Sequence, residues 1–80
     1  MKNNKIPIFW SKGLPATNHN GSFSTDGFNL YSYKKIIGVT EGNQKILYEY
    51  NSRTNNFISQ TTSTHVSLAA SHADLVLIPD

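Results

Sequence analysis

Apolar positions along this chain follow two periods. From Phe28 to Val39 they fit extended backbone: Phe28, Leu30 and Ser32 share one face, Asn29, Tyr31 and Tyr33 the other, and Ile36, Ile37 and Val39 follow. Glu41-Gly42-Asn43 then interrupts the apolar run with turn formers, which predicts a hairpin. Lys45 to Tyr50 alternates, with Ile46, Tyr48 and Tyr50 opposing Lys45, Leu47 and Glu49. The polar stretch from Asn51 to Asn56 predicts another turn, and Phe57 to Gln60 a short strand. Past that point the period changes. Val66, Ala69, Ala70 and Ala73 recur at helical spacing, so one short helix is expected, with Thr62 or Ser63 as its N-cap. Leu75 to Ile78 returns to an apolar strand, ended by Pro79.

The N-terminal third is harder to read. Lys5 to Trp10 is apolar enough for a strand, and Pro7, which cannot donate to a ladder, places it at an edge. Ser11 to Gly27 carries glycine, asparagine, serine and threonine with little to bury, and predicts a long loop. The expected fold is therefore α+β: a small antiparallel sheet, built as a meander, with one short helix packed on a face. Its order is β-loop-β-β-β-α-β. Residues 1–80 form one small domain, with 1–27 an edge strand plus loop and 28–80 the core.

Composition sharpens this picture. Only 15% of residues are charged and 38% are apolar, against a usual charged share of about a quarter. With no cysteine, neither disulfides nor thiolate metal sites reinforce so small a core. Burial of surface in a homo-oligomer is one alternative source of stability. No apolar run reaches the roughly 18–20 residues of a membrane span, and Met1 to Trp10 does not read as a signal peptide, so no membrane association is expected and the cytoplasm is the expected compartment. The formal net charge is +2, and the lysines Lys2, Lys5, Lys12, Lys34 and Lys35 gather before residue 36.

Candidate chemistry lies mainly between Thr61 and His65. Thr61, Thr62, Ser63, Thr64 and His65 place hydroxyls and an imidazole where strand passes into helix, and helix N-termini attract anions. The same dipole disfavours a protonated His65. Ser and Thr that merely cap the helix explain the same residues. His65 and His72 stand seven apart, about 10.5 Å along a helix, which misses the four-residue spacing of a shared metal. No metal or other cofactor is expected. A Ser-His-Asp set can be drawn, but no nucleophile-elbow context supports it, so no enzyme is expected. Tyr31, Tyr33, Lys34 and Lys35 form the second candidate surface, since aromatics beside lysines on a sheet can stack bases and neutralise phosphates. A half-buried cross-strand cluster accounts for them equally.

Gly27-Phe28-Asn29-Leu30-Tyr31-Ser32-Tyr33, leading into Ile36-Ile37-Gly38, and then Phe57-Ile58-Ser59-Gln60-Thr61-Thr62-Ser63-Thr64-His65, carry a resemblance. Together they resemble a family of short domains, without an assigned activity, encoded mainly by bacteriophages and prophages. The resemblance covers roughly residues 27–66. Family members tend to carry a basic residue just before the histidine, where this chain has Thr64. The resemblance implies action in a host cytoplasm. The expected function is non-catalytic binding, either of a host protein (an anti-defence inhibitor, as of a CRISPR effector) or of a small anionic ligand. A nucleic-acid-binding accessory protein and a small structural or virion component are the alternatives.

Overall fold

The computed structural model describes residues 2–50 and 60–78. They form an α+β fold: a six-stranded sheet with strands in sequence order, antiparallel throughout except for its last pair. The first element corrects the sequence reading. Ile6 to Ser11 is a short helix, α1, preceded by a 3-10 turn at Asn3–Lys5, and not an edge strand. A six-residue apolar run fits either period, and here two features favour the helix. Pro7 sits in the first turn, where its missing N–H costs nothing. Ile6 and Trp10, four residues apart, then point the same way and are fully buried. A helix this short holds only by such packing.

Gly13 stops it. At φ +75° this residue donates to the Trp10 carbonyl (3.1 Å) while Leu14 donates to Phe9 (2.9 Å), the paired bonds of a Schellman cap.

The expected long loop is instead largely a hairpin of β1 (Pro15–Thr17) and β2 (Phe23–Asp26). These strands were invisible to periodicity because only Phe23 among their residues is a large apolar group. Asn18 substitutes for side-chain packing at the hairpin's end. This buried amide accepts from the Phe23 N–H (3.2 Å) and donates to Asn3 Oδ1 (2.7 Å) and Ser22 Oγ (3.0 Å).

The meander continues through β3 (Leu30–Ser32), β4 (Lys35–Glu41) and β5 (Gln44–Tyr48). The expected hairpin is present, with Glu41 paired to Gln44 across Gly42-Asn43 and Gly42 at φ +60°. Between β3 and β4 the register shifts, leaving Ile37 as an extra, fully buried residue between the Leu30–Gly38 and Tyr31–Ile36 pairs. Helix α2 (Gln60–Ala70) then crosses to β6 (Leu75–Leu77), which runs parallel to β5. The predicted strand over 57–60 lies mostly outside the described residues, but Gln60 is already helical. Thr62 and Ser63 therefore occupy the first turn rather than the N-cap position.

Both helices contribute to one core, where Ile6, Trp10, Phe23, Leu30, Ile37, Leu47, Val66 and Ala69 meet. Of the expected helix face, Val66 and Ala69 are buried, Ala73 is half-buried and Ala70 is exposed. Thr62, Ser63 and His65 complete the buried stripe instead. At the far edge β6 leaves Leu75, Val76 and Leu77 each more than 40% exposed.

Asp74 fastens β6 to the sheet. Its carboxylate accepts from the Lys45 N–H and its own N–H donates to the Lys45 carbonyl, both at 2.7 Å. Asp74→Ala should cost about 1–2 kcal/mol, since it strips the acceptor from a partly buried amide. Faster hydrogen exchange at the Lys45 amide than at Val39, on the far side of β5, would report it. Unchanged exchange at Lys45 would show that the carboxylate adds nothing.

Candidate functional site

Ser32 in β3 stands opposite Phe23 in β2, so both side chains rise from the same face of the sheet. The His65 ring, descending from α2, lies flat on Phe23 with centroids 4.1 Å apart and planes 3° from parallel. Its Nδ1 is 2.8 Å from Ser32 Oγ, which is 2.9 Å from Thr62 Oγ1. Imidazole and two hydroxyls thus form one buried polar chain that registers the helix on the sheet. His65 Nε2 is equally buried and has no hydrogen-bond partner among the described residues. The tautomer with the proton on Nδ1 suits this setting, since it leaves a bare lone pair at Nε2 rather than an orphaned N–H. Burial pushes the imidazole pKa below its ordinary value of 6.5 and keeps it neutral.

A serine within hydrogen-bond reach of a histidine is also the geometry of an activated nucleophile. Ser32 is only 1% exposed and His65 0%, so no substrate reaches this pair from outside. It holds the fold together.

The space open to a ligand lies beside this network. A cavity of about 470 Å³ opens where the N-terminal turn, the 18–22 loop and the first turn of α2 converge. Lys2 and Asn3 form one wall, Asn18, His19, Asn20 and Ser22 a second, and Tyr33 and Thr61 close it. Tyr33 holds a left-handed φ of +56°, and its N–H donates to the Ser22 carbonyl at 2.7 Å, which fixes the turn that presents its ring. Among the described residues the lining carries an ammonium, an imidazole, amides and hydroxyls, but no carboxylate.

Of the residues singled out in the sequence, the structure brings Thr61 and Tyr33 together on this cavity. Thr62, Ser63 and His65 are buried beneath it. Thr64 faces solvent and returns its hydroxyl to the Gln60 carbonyl (3.0 Å). The tyrosine–lysine surface is divided rather than continuous. Tyr31 donates to Asp26 Oδ2 and accepts from Asn29, each at 3.3 Å. Lys35 lies over the Tyr50 ring at 4.9 Å, and Lys34 is exposed in the turn. Sequence reasoning missed Lys2, Asn3 and the Asn18–Ser22 wall. The only trace of that wall in the sequence is a dense polar cluster, which the hairpin folds back against the N-terminal turn.

Among the described residues no three His, Cys, Asp or Glu side chains gather where they could hold a metal, and no helix is long and apolar enough to cross a membrane. Fold and cavity together define a small single-sheet α+β fold with a polar cavity at one end that no carboxylate of the described residues lines. Comparison with known proteins finds no matching family model, curated protein or solved structure.

Proposed function

We propose that this is a non-catalytic binding protein whose end cavity sequesters a small anionic molecule. The observation that supports the reading most directly is the lining itself, with Lys2, the Asn3 and Asn20 amides, hydroxyls and His19 present and, among the described residues, no carboxylate to repel an anion. Thr61, at the first turn of α2, adds the end of the helix that favours negative charge. The resemblance to phage-encoded domains supports placing this role in the cytoplasm of an infected host, where withholding a phosphorylated metabolite would serve as an anti-defence activity. Direct capture of a host protein is the related reading. The divided tyrosines give the nucleic-acid reading less support than one continuous stacking platform would.

Ribose 5-phosphate and inorganic phosphate are suitable probes for a thermal melt. A ligand at about 100 times its Kd should raise the melting temperature on the order of 10 °C. Lys2→Ala and Tyr33→Ala should each reduce the shift while leaving the unliganded melt nearly unchanged, because both side chains are exposed. An undiminished shift in both variants would move the site elsewhere. The absence of any shift, together with stoichiometric capture of one host protein, would transfer the function to the protein's surface.

A further inference from the structure

A second, smaller cavity of about 250 Å³ lies at the other end of α1, between the helix C-terminus, the β2–β3 turn and the β4–β5 hairpin. Lys45, one of its lining residues, is unusual for a lysine. It is only 8% exposed, and its ammonium donates to the Gly27 carbonyl (2.9 Å) and Thr40 Oγ1 (2.7 Å). Both acceptors are neutral. A primary ammonium has three N–H groups, so one is left without an acceptor among the described residues. No carboxylate among those residues comes within ion-pair distance either: Asp74 spends its oxygen on the Lys45 backbone, and Asp26 on the amides of Phe28 and Asn29. Removing a charge from water without a counter-ion is costly. Lysines are seldom buried this way unless something completes the pair. The ring of Trp10, 5.7 Å from the nitrogen, compensates only in part.

We propose that this cavity binds a small organic carboxylate, with Lys45 as its buried counter-ion and Lys12 as a second cation at its rim. Asn43 supplies a neutral donor on the same lining. Phe28 supplies an apolar surface. It is 67% exposed, yet its backbone is held on both sides, since its N–H donates to Asp26 Oδ1 (2.9 Å) and its carbonyl accepts from Trp10 Nε1 (3.0 Å) and Thr40 Oγ1 (2.7 Å). The volume admits something smaller than a drug-sized ligand. Burial pushes the Lys45 pKa below its ordinary value, and the more distant charges of Asp74 and Asp26 offset this only in part. Those carboxylates repel a doubly charged anion about twice as strongly as a singly charged one, which favours a monovalent carboxylate over phosphate. This site shares no lining residue with the cavity at the α2 end and is independent of its function.

The test is a benzoate titration of the isotope-labelled protein, following the backbone amides of Gly13, Gly42 and Asn43. Saturable shifts at these amides are expected, with benzamide (the same ring without the charge) producing none at equal concentration. Phosphate should bind at least tenfold more weakly. Lys45→Met should abolish binding, and Lys12→Ala, at an exposed position, should weaken it several-fold without disturbing the spectrum elsewhere. Should Lys45→Met fail to fold, the Lys12 variant and the benzamide comparison decide the matter. The proposal is overturned by any of three results: no saturable shift at tens of millimolar benzoate, equal binding of benzamide or phosphate, or an unaffected Lys12→Ala.

Discussion

Gly38→Ala is expected to destabilise the protein by about 1–3 kcal/mol, although the change adds a single methyl group. A Cβ at this position would stand 2.8 Å from Trp10 Cζ2, 3.1 Å from Cη2 and 3.2 Å from the Leu30 Cβ. The indole lies directly on the β4 backbone, pinned there by its Nε1 bond to the Phe28 carbonyl. Neither neighbour is the free end of a flexible side chain, so the sheet or the helix must shift. Out of a total stability of about 4–12 kcal/mol for a chain of this size, the loss would be plain in a urea midpoint. Combining the change with Trp10→Phe, which trims the ring where the methyl arrives, should recover part of it, and the non-additivity measures the contact. A Gly38→Ala protein with the parental midpoint would show that α1 does not press on β4 as described.

His65→Ala should cost more, about 2–5 kcal/mol, the range for large core side chains cut to alanine. It removes a ring stacked on Phe23 and takes a partner from Ser32. His65→Phe should be far milder. It keeps a ring against Phe23, removes the unpartnered nitrogen, and leaves Ser32 and Thr62 bonded to each other.

The two variants also separate packing from protonation. Burial lowers the histidine's folded pKa below 6.5, so the unfolded chain takes up a proton more readily than the folded one. The stability that His65 contributes is complete above about pH 6.5 and declines as pH falls through the lower folded value. Phe23, Ser32, Thr62 and Tyr33 face the ring, and none offers a negative charge to hold the imidazolium. Further acid loss, below the ordinary 3.8 of an aspartate, comes from Asp26, whose carboxylate is held low by the N–H groups of Asn29 and Phe28. Denaturation of the wild type should therefore show a stability loss beginning near pH 6.5 that His65→Phe lacks. Parallel pH profiles for the two proteins would mean that His65 is not the group responsible.

The more legible half of this chain was the half with strong local signals. Strand period through Phe28–Val39, turn chemistry at Glu41-Gly42-Asn43, alternation from Lys45 onward and the apolar run Leu75–Ile78 each act over a few residues, and they lead to the α+β class and to four of the six strands, although the single run Phe28–Val39 is broken into β3 and β4 by the turn at Tyr33-Lys34. The helix was also visible, but its apolar stripe told only part of the story. Thr62 and His65 line the buried face because Ser32, thirty residues earlier, supplies their hydrogen bonds. Nothing in the spacing of Thr61 to His65 reveals such a partner, so residues read as a ligand-facing junction include two that join the core network.

The N-terminal third is not legible from local pattern for a related reason. Lys5 to Trp10 fits helix and strand alike, and burial of Ile6 and Trp10 against strands formed later in the chain decides between them. The hairpin at 15–26 has too few apolar residues to show a period, and the buried hydrogen bonds of Asn18 hold its end. Both cavities follow from such long-range choices. One exists because the 18–22 loop folds beside Lys2 and the start of α2, the other because β5 delivers Lys45 beneath the end of α1. Local pattern thus determined which segments would extend, turn or coil where apolar spacing was strong. Which polar groups lost their water, and which were left facing a cavity, was decided only by tertiary contact, because desolvation depends on neighbours that chain order does not bring together.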